Sequence, residues 1–454
     1  MLAEDAAAPT PPRRRPDHSA TQMSCRVLKR LCLLMAIMPI AVQTKAAEID
    51  YDALLRRKDY LEVSALIASD HTTAPADRRY IEGIIANRRG DSSRSTRLLE
   101  PLVRSGSLKD VREQAALHAL ADSYAKAGAY SKAADAYIQL LRRFGPLLSD
   151  RLRQSLKGNA SLFEILRNTP PQTNGRMVRS RLRIKVDPVG LSEIPVRLNG
   201  RREEFIVDTG ANECVVARSI AEKLGLNISA STVPFEGIGG ELAEFHVAVL
   251  PRLDLGNSVF RNVVLLVTDD ENLFVNAARF QIRGIIGFPI VSKLGSLKFT
   301  SNQLDVGAGS SMANWSSLYL DDMTILVAAS DFGGFHLYAL DTGSVDTVFS
   351  ARYAELNADM LVPSEPGVRY FSGFGGIKQA KVLKHVKTTL ILGGASVNIR
   401  DLDVLSEPVG ADGDDFFGII GLDVLSRFSS YTIDFKHMRF SADKSSHTHT
   451  SRSN

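Results

Sequence analysis

The second half of this chain is written twice. Phe205-Ile206-Val207-Asp208-Thr209-Gly210-Ala211 returns as Tyr338-Ala339-Leu340-Asp341-Thr342-Gly343-Ser344. Gly237-Ile238-Gly239-Gly240 returns as Gly373-Phe374-Gly375-Gly376, and Gly284-Ile285-Ile286-Gly287 as Gly418-Ile419-Ile420-Gly421, in the same order and at nearly the same separation. Each Asp-Thr-Gly follows an apolar, strand-like run and precedes a short helical stretch, 217–224 and 350–356, in which Ala221-Glu222 matches Ala354-Glu355. Three motifs in register imply a duplicated folding unit, so whatever one copy builds, the chain builds again.

From residue 179 onward, short runs of Val, Ile, Leu and Phe alternate with polar residues and are bounded by Gly, Asn and Asp, a pattern that predicts many short strands. Residues 50–168 differ, because their apolar positions recur at helical spacing with Pro and Gly between the periodic stretches. The expected organisation is an N-terminal extension and export signal over 1–46, a helical domain over 48–168 and a linker over 169–178. Two β lobes follow over 179–310 and 311–440, then a polar, disordered tail over 441–454. His447 and His449 belong to that solvated tail rather than to a metal site.

At the N-terminus, Arg26, Lys29 and Arg30 precede an apolar run over 31–42 that is too short to span a bilayer, and Thr44-Lys45-Ala46 supplies a small-x-small cleavage signal. The reading is an exported protein, periplasmic or secreted, with no stable membrane insertion once the signal is removed. An amphipathic or anchoring N-terminal helix is the alternative, and the Ala-, Pro- and Arg-rich stretch before Met23 fits a misassigned start. Cys25 and Cys32 lie in this region, which leaves Cys214 alone in the mature chain as a buried small hydrophobe rather than a nucleophile. A net charge of +4 with 23% charged residues carries no acidic or basic excess, which argues against nucleic acid as a partner.

Two resemblances follow from these residues. Leu117, Leu120, Tyr124, Gly128, Ala133, Tyr137 and Leu140, closed by Pro146, resemble a tetratricopeptide repeat, with Tyr80, Gly90 and Leu99 as a degenerate partner. This is compatible with a protein partner bound through the helical region and equally with a plain helical hairpin. Over 179–440 the duplicated motifs resemble the aspartic protease superfamily, in its retropepsin-like branch joined into one chain as in pepsin-like enzymes and bacterial aspartyl proteases. The resemblance implies a multidomain α + β chain, with a TPR-like helical region followed by an all-β bilobed acid-protease fold.

The same resemblance implies two catalytic carboxylates, Asp208 and Asp341, in a cleft between the lobes. It assigns Thr209, Gly210, Ala211, Thr342, Gly343 and Ser344 to the supporting loops. Gly237, Ile238, Gly239 and Gly240, with Gly373, Phe374, Gly375 and Gly376, become glycine-tipped flaps over a protein or peptide substrate. No cofactor or metal is required, because two carboxylates side by side share one proton and act as acid and base together. Pepsin-like enzymes carry a flap tyrosine that has no counterpart near Gly239, whereas retroviral enzymes use glycine-rich flaps. Ser344, where the first copy has Ala211, is expected to donate to the adjacent carboxylate, so that Asp341 carries the charge and Asp208 the proton. A phosphate cradle at 237–240 is disfavoured because a strand rather than a helix follows it. Two functions remain open on sequence: an aspartic endopeptidase, or a non-catalytic peptide-binding or scaffold protein with protease-like lobes. The helical region is left as a gate, a recognition element or a removable propiece.

Overall fold

The computed structural model describes residues 49–175, 177–237, 242–309, 314–331, 334–361, 364–373, 376–408 and 416–444. The export signal and start-site readings over 1–46 lie outside the described residues. So do Ile238, Gly239, Gly240, Phe374 and Gly375 of the expected flaps, and residues 445–454.

Helices come first: α1 (Tyr51–Arg56), α2 (Tyr60–Ser69), α3 (Pro75–Arg88), α4 (Ser92–Ser105), α5 (Asp110–Lys126), α6 (Tyr130–Phe144) and α7 (Asp150–Ile165). Local chemistry sets their ends. Pro75 opens α3, Asp91 caps α4 by accepting from the Arg94 amide at 2.9 Å, and Ser149 caps α7. Gly90 and Gly128 turn the chain between α3 and α4 and between α5 and α6 with φ of +71° and +72°, which favours glycine. The spacing of small and aromatic residues in the sequence is explained by packing. Gly83 of α3 lies against Leu99 of α4, and Phe163 of α7 stacks on Tyr137 of α6 at 5.7 Å.

The β-rich remainder repeats its own pairings. In the first copy Arg201–Val207 lies antiparallel to Ser192–Leu198 and parallel to Gly284–Ile286, with Ile206 opposite Ile285. In the second, Gly334–Leu340 lies antiparallel to Thr324–Asp331 and parallel to Gly418–Ile420, with Ala339 opposite Ile419. Val215–Ala217 runs parallel to Ser258–Thr268, as Val348–Phe349 does to Ala395–Leu405. Each copy also extends a long hairpin. The first pairs Ile228–Glu236 with Leu242–Leu255, and the second pairs Glu365–Gly373 with Gly376–Leu392. The expected short helices follow the Asp-Thr-Gly loops as Arg218–Lys223 and Ala351–Leu356.

Three details differ from the sequence expectation. Ser180–Arg183, Gln303–Val306 and Ser296–Phe299 continue through Phe428–Asp434 and Arg439–Lys444 to Ser316–Asp321 in one sheet, so strands from both sides of residue 310 share backbone hydrogen bonds. Ser441 to Lys444 therefore belong to a paired strand rather than to a tail. The segment 169–178 is fastened down. Thr173–Asn174 pairs with Phe260 and Arg261, and the Gln172 side-chain amide donates to the Pro289 carbonyl at 2.9 Å.

The helices are docked on the β region through partly buried charge. Tyr60 donates its hydroxyl to Asp321 at 2.8 Å, Arg88 lies 3.1 Å from the same carboxylate, and Lys58 pairs with it. His118 sits 3.0 Å from Asp322, whose φ of +49° marks the tight turn that delivers both carboxylates. Burial alone would raise both acids, but Lys58 and Arg88 around Asp321, and His118 and Arg88 around Asp322, hold them below the usual carboxylate range.

Candidate active site

Two loops that emerge from equivalent strands meet in the β region. The strand Arg201–Val207 delivers Asp208 and the strand Gly334–Leu340 delivers Asp341. In both copies the glycine-flanked Ile-Ile strand passes beneath the loop and holds it by the same bonds. The Asp208 amide donates to the Ile286 carbonyl at 3.1 Å, as the Asp341 amide does to Ile420 at 3.1 Å. The Phe288 amide donates to the Ala211 carbonyl at 2.9 Å, as the Leu422 amide does to Ser344 at 2.9 Å. Gly287 and Gly421 permit this threading, since a Cβ on either would come within 2.3 Å or 2.5 Å of a loop carbonyl oxygen.

The loops are locked to each other by their threonines. Thr209 Oγ1 donates to the Leu340 carbonyl at 2.7 Å and accepts the Thr342 amide at 2.9 Å. Thr342 Oγ1 donates to the Val207 carbonyl at 2.8 Å and accepts the Thr209 amide at 3.1 Å. Both side chains are fully buried, so four hydrogen bonds join the copies where water cannot compete.

This lock carries each carboxyl group over the other loop. A Cβ on Gly210 would lie 2.5 Å from the Asp341 carboxyl carbon, and one on Gly343 would lie 2.3 Å from that of Asp208. The approach therefore needs glycine at both positions. Asp208 Oδ1 accepts the amides of Gly210 at 2.8 Å and Ala211 at 3.1 Å, and Asp341 Oδ1 accepts that of Gly343 at 2.7 Å. Both aspartates are half-buried, and their carboxyls hydrogen-bond to one another. Burial and the neighbouring Asp341 charge push Asp208 well above the ordinary carboxylate range. Burial raises Asp341 too, but the amides around it and its bond to Asp208 oppose that rise. The arrangement can hold one proton between two acids and present both to solvent.

Ser344 departs from expectation. Its hydroxyl donates to the Asp346 carbonyl at 2.8 Å, a local turn bond that competes with the carboxylate, so the asymmetry of the pair does not come from that hydroxyl. Of the expected flap residues, Gly237, Gly373 and Gly376 are described, at the ends of their hairpin strands, and Gly376 has a φ of +116°.

Cys214 has a part that sequence reading missed. Its Sγ accepts the Gly287 amide at 3.4 Å, and at the equivalent place in the second copy Thr347 Oγ1 accepts the Gly421 amide at 3.0 Å. The repeat offset that located the aspartates would also have found this pair. Burial pushes the Cys214 thiol up to about 12, which fits an acceptor rather than a nucleophile. Among the described residues no group of three or more His, Cys, Asp or Glu could hold a metal ion, and no helix is long and apolar enough to cross a membrane.

No curated protein matches the chain. Among solved structures, a retropepsin-like aspartic protease from Rickettsia conorii is similar at 17% identity over 29% of this chain and 94% of that chain, with a TM-score of 0.22. The family model described as aspartyl protease matches residues 194–290, a segment that contains Asp208-Thr209-Gly210 and the first hairpin, and this match supports a place for the segment in the aspartic protease superfamily.

Proposed function

We propose that the chain is an aspartic endopeptidase of two similar lobes, retropepsin-like in each half and pepsin-like in its connection. In this reading Asp208 and Asp341 activate a water between them. The observation that carries it is reciprocal: each carboxyl lies over the glycine of the other copy's loop, and buried crossed threonine bonds hold the two loops together. The aspartyl-protease family match over 194–290 agrees with it.

The raised Asp208 carboxyl holds the shared proton and Asp341 carries the charge. Asp341 takes a proton from the water as its oxygen bonds to the scissile carbonyl carbon, while Asp208 hydrogen-bonds the oxyanion that develops. When the C–N bond breaks, the departing nitrogen takes a proton from the pair, and the two acids again share one. The substrate is an extended peptide, held by backbone hydrogen bonds and by pockets of alternating direction. A TPR-like helical region and export to the periplasm or beyond complete the reading, the latter resting on the basic-then-apolar N-terminus.

The test is digestion of a peptide library by the wild type, Asp208→Asn and Asp341→Asn. Cleavage by the wild type that is lost in both variants supports the proposal. Equal cleavage by all three, or none by the wild type at any pH, refutes it and leaves a peptide-binding scaffold.

A further inference from the structure

We infer that helix α7 seats the stem of the first hairpin, and that Gly158 and Phe235 are positioning residues through which the helical region sets how tightly an extended substrate is held. The substrate part of this inference rests on the endopeptidase reading. Helix α7 packs along the strand Ile228–Glu236. A Cβ on Gly158 would lie 2.4 Å from the Pro234 carbonyl oxygen and 3.1 Å from the Phe235 ring, so helix backbone meets strand backbone with no side chain between them. A mid-helix glycine is unfavourable relative to alanine, and here it makes close approach possible. Phe235 lies just before Gly237, where the strand gives way to the hairpin tip, and its ring meets Phe245 edge-on at 6.1 Å. Farther along α7, Phe163 stacks on Tyr130 and Tyr137, which ties the seat to the helical array.

The second hairpin is held differently. At the offset that carries Gly237 onto Gly373, Val233 and Phe235 correspond to Arg369 and Phe371. Phe371 packs against the cluster of Val348, Ala351, Ala380, Val382 and Leu405 in its own copy. Arg369 pairs with Asp403 at 2.8 Å and with Asp346, which lies just past Ser344. Its other face stays open, with Tyr370 67% and Ile377 72% exposed. One hairpin is thus anchored within its own copy, and the other on a part of the chain that precedes both copies. A substrate strand that lies along the first hairpin is held equally in the ground and transition states, so a shift of that hairpin raises KM and leaves kcat.

Two full-length variants test this, Gly158→Val and Phe235→Ala, with hydrogen exchange of segments 228–236 and 365–373 measured beside steady-state peptide cleavage. Overpacking of this kind loosens a contact by about ten- to a hundred-fold in exchange rate. The expected result is faster exchange at 228–236 alone, with KM raised by a similar factor, kcat little changed, and Phe235→Leu restoring both. Phe235→Ala decides the matter if the Gly158 variant fails to fold. Unchanged exchange in a folded variant, or equal loosening of both hairpins, overturns the seating. Loosened exchange with an unchanged KM overturns its role in substrate binding. If the wild type cleaves nothing, the endopeptidase reading fails, while the exchange pattern still upholds or overturns the seat.

Discussion

Replacing Thr209 with valine keeps the side-chain shape and removes one oxygen, which isolates the lock between the two loops. The Thr342 amide, now 2.9 Å from that oxygen, and the Leu340 carbonyl, 2.7 Å from it, would both lose their partner. Leu340 is 1% exposed and Thr342 fully buried, so water cannot replace the lost oxygen without opening the loops. At about 1–3 kcal/mol for each orphaned buried group, Thr209→Val costs about 2–6 kcal/mol. That is a large share of a total stability of about 5–15 kcal/mol. Thr342→Val orphans the Thr209 amide and the Val207 carbonyl, with a similar loss. The double variant should lose less than the sum, because the groups form one network. Urea unfolding measures the loss, and Thr209→Ser, which keeps the oxygen, should retain most of the wild-type value. The lock also sets the carboxyl spacing, so Thr209→Val should narrow the pH–rate profile as the coupling between Asp208 and Asp341 weakens. A valine variant with wild-type urea midpoint and unchanged profile would refute the account of the lock.

Gly210→Ala and Gly343→Ala place a methyl group 2.5 Å and 2.3 Å from the opposing carboxyl carbon. Each should lower kcat/KM by about a hundred-fold or more while circular dichroism stays native, because a misplacement of about 1 Å suffices for that loss. Cys214→Thr should match the wild type in thermal unfolding, since Thr347 fills the equivalent position, whereas Cys214→Ala leaves the Gly287 amide unbonded and should cost about 1–3 kcal/mol. Asp208 has a folded pKa above its unfolded value, so its contribution to stability is whole below about pH 3.9 and is lost as pH rises through the folded value. Asp208→Asn should therefore be more stable than the wild type at neutral pH and lose that advantage in acid, as urea titrations across pH would show. Asp322→Ala takes the carboxylate away from His118 while Arg88 keeps Asp321, and should cost about 1–3 kcal/mol, read as a lower midpoint in urea.

How much of this was legible in the sequence depends on how far apart the interacting residues lie. The Asp-Thr-Gly loops, their short helices and the strand after Gly240 were readable because local backbone chemistry writes them: glycine at close approaches, alternation in strands, caps at helices. The sheet that crosses residue 310 was not, because Ser296–Phe299 finds its partner in Phe428–Asp434, on the far side of the whole second copy, and nothing in either strand names the other. Nothing near Asp321 and Asp322 in the sequence marks their role, since their cations come from the helical region, at Lys58, Arg88 and His118. Ser344 differs from expectation for a local reason: a hydroxyl beside a carboxylate favours the charge, but the turn offers it the Asp346 carbonyl first.

Comparison of the two copies with each other shows which positions the architecture constrains. Asp208 and Asp341, Thr209 and Thr342, and Gly210 and Gly343 are identical pairs, and each bonds to, or makes room for, a residue of the opposite copy. A change at one of them leaves an orphaned group or a clash in the other. The Gly-Ile-Ile-Gly strands, which thread equivalent loops of their own copies, are identical too, whereas positions with unlike neighbours differ. Ala211 stands against Ser344, Cys214 against Thr347, and Val233 against Arg369. Cys214 and Thr347 keep the acceptor that the threading strand needs while changing its element, whereas Val233 and Arg369 keep nothing in common, because one is buried in a core that α7 helps to build and the other pairs with Asp346 and Asp403. The symmetry of the chain is thus strict where the copies touch and relaxed where each meets different surroundings. A substrate lying between the hairpins would meet two unlike walls over a nearly symmetric pair of acids.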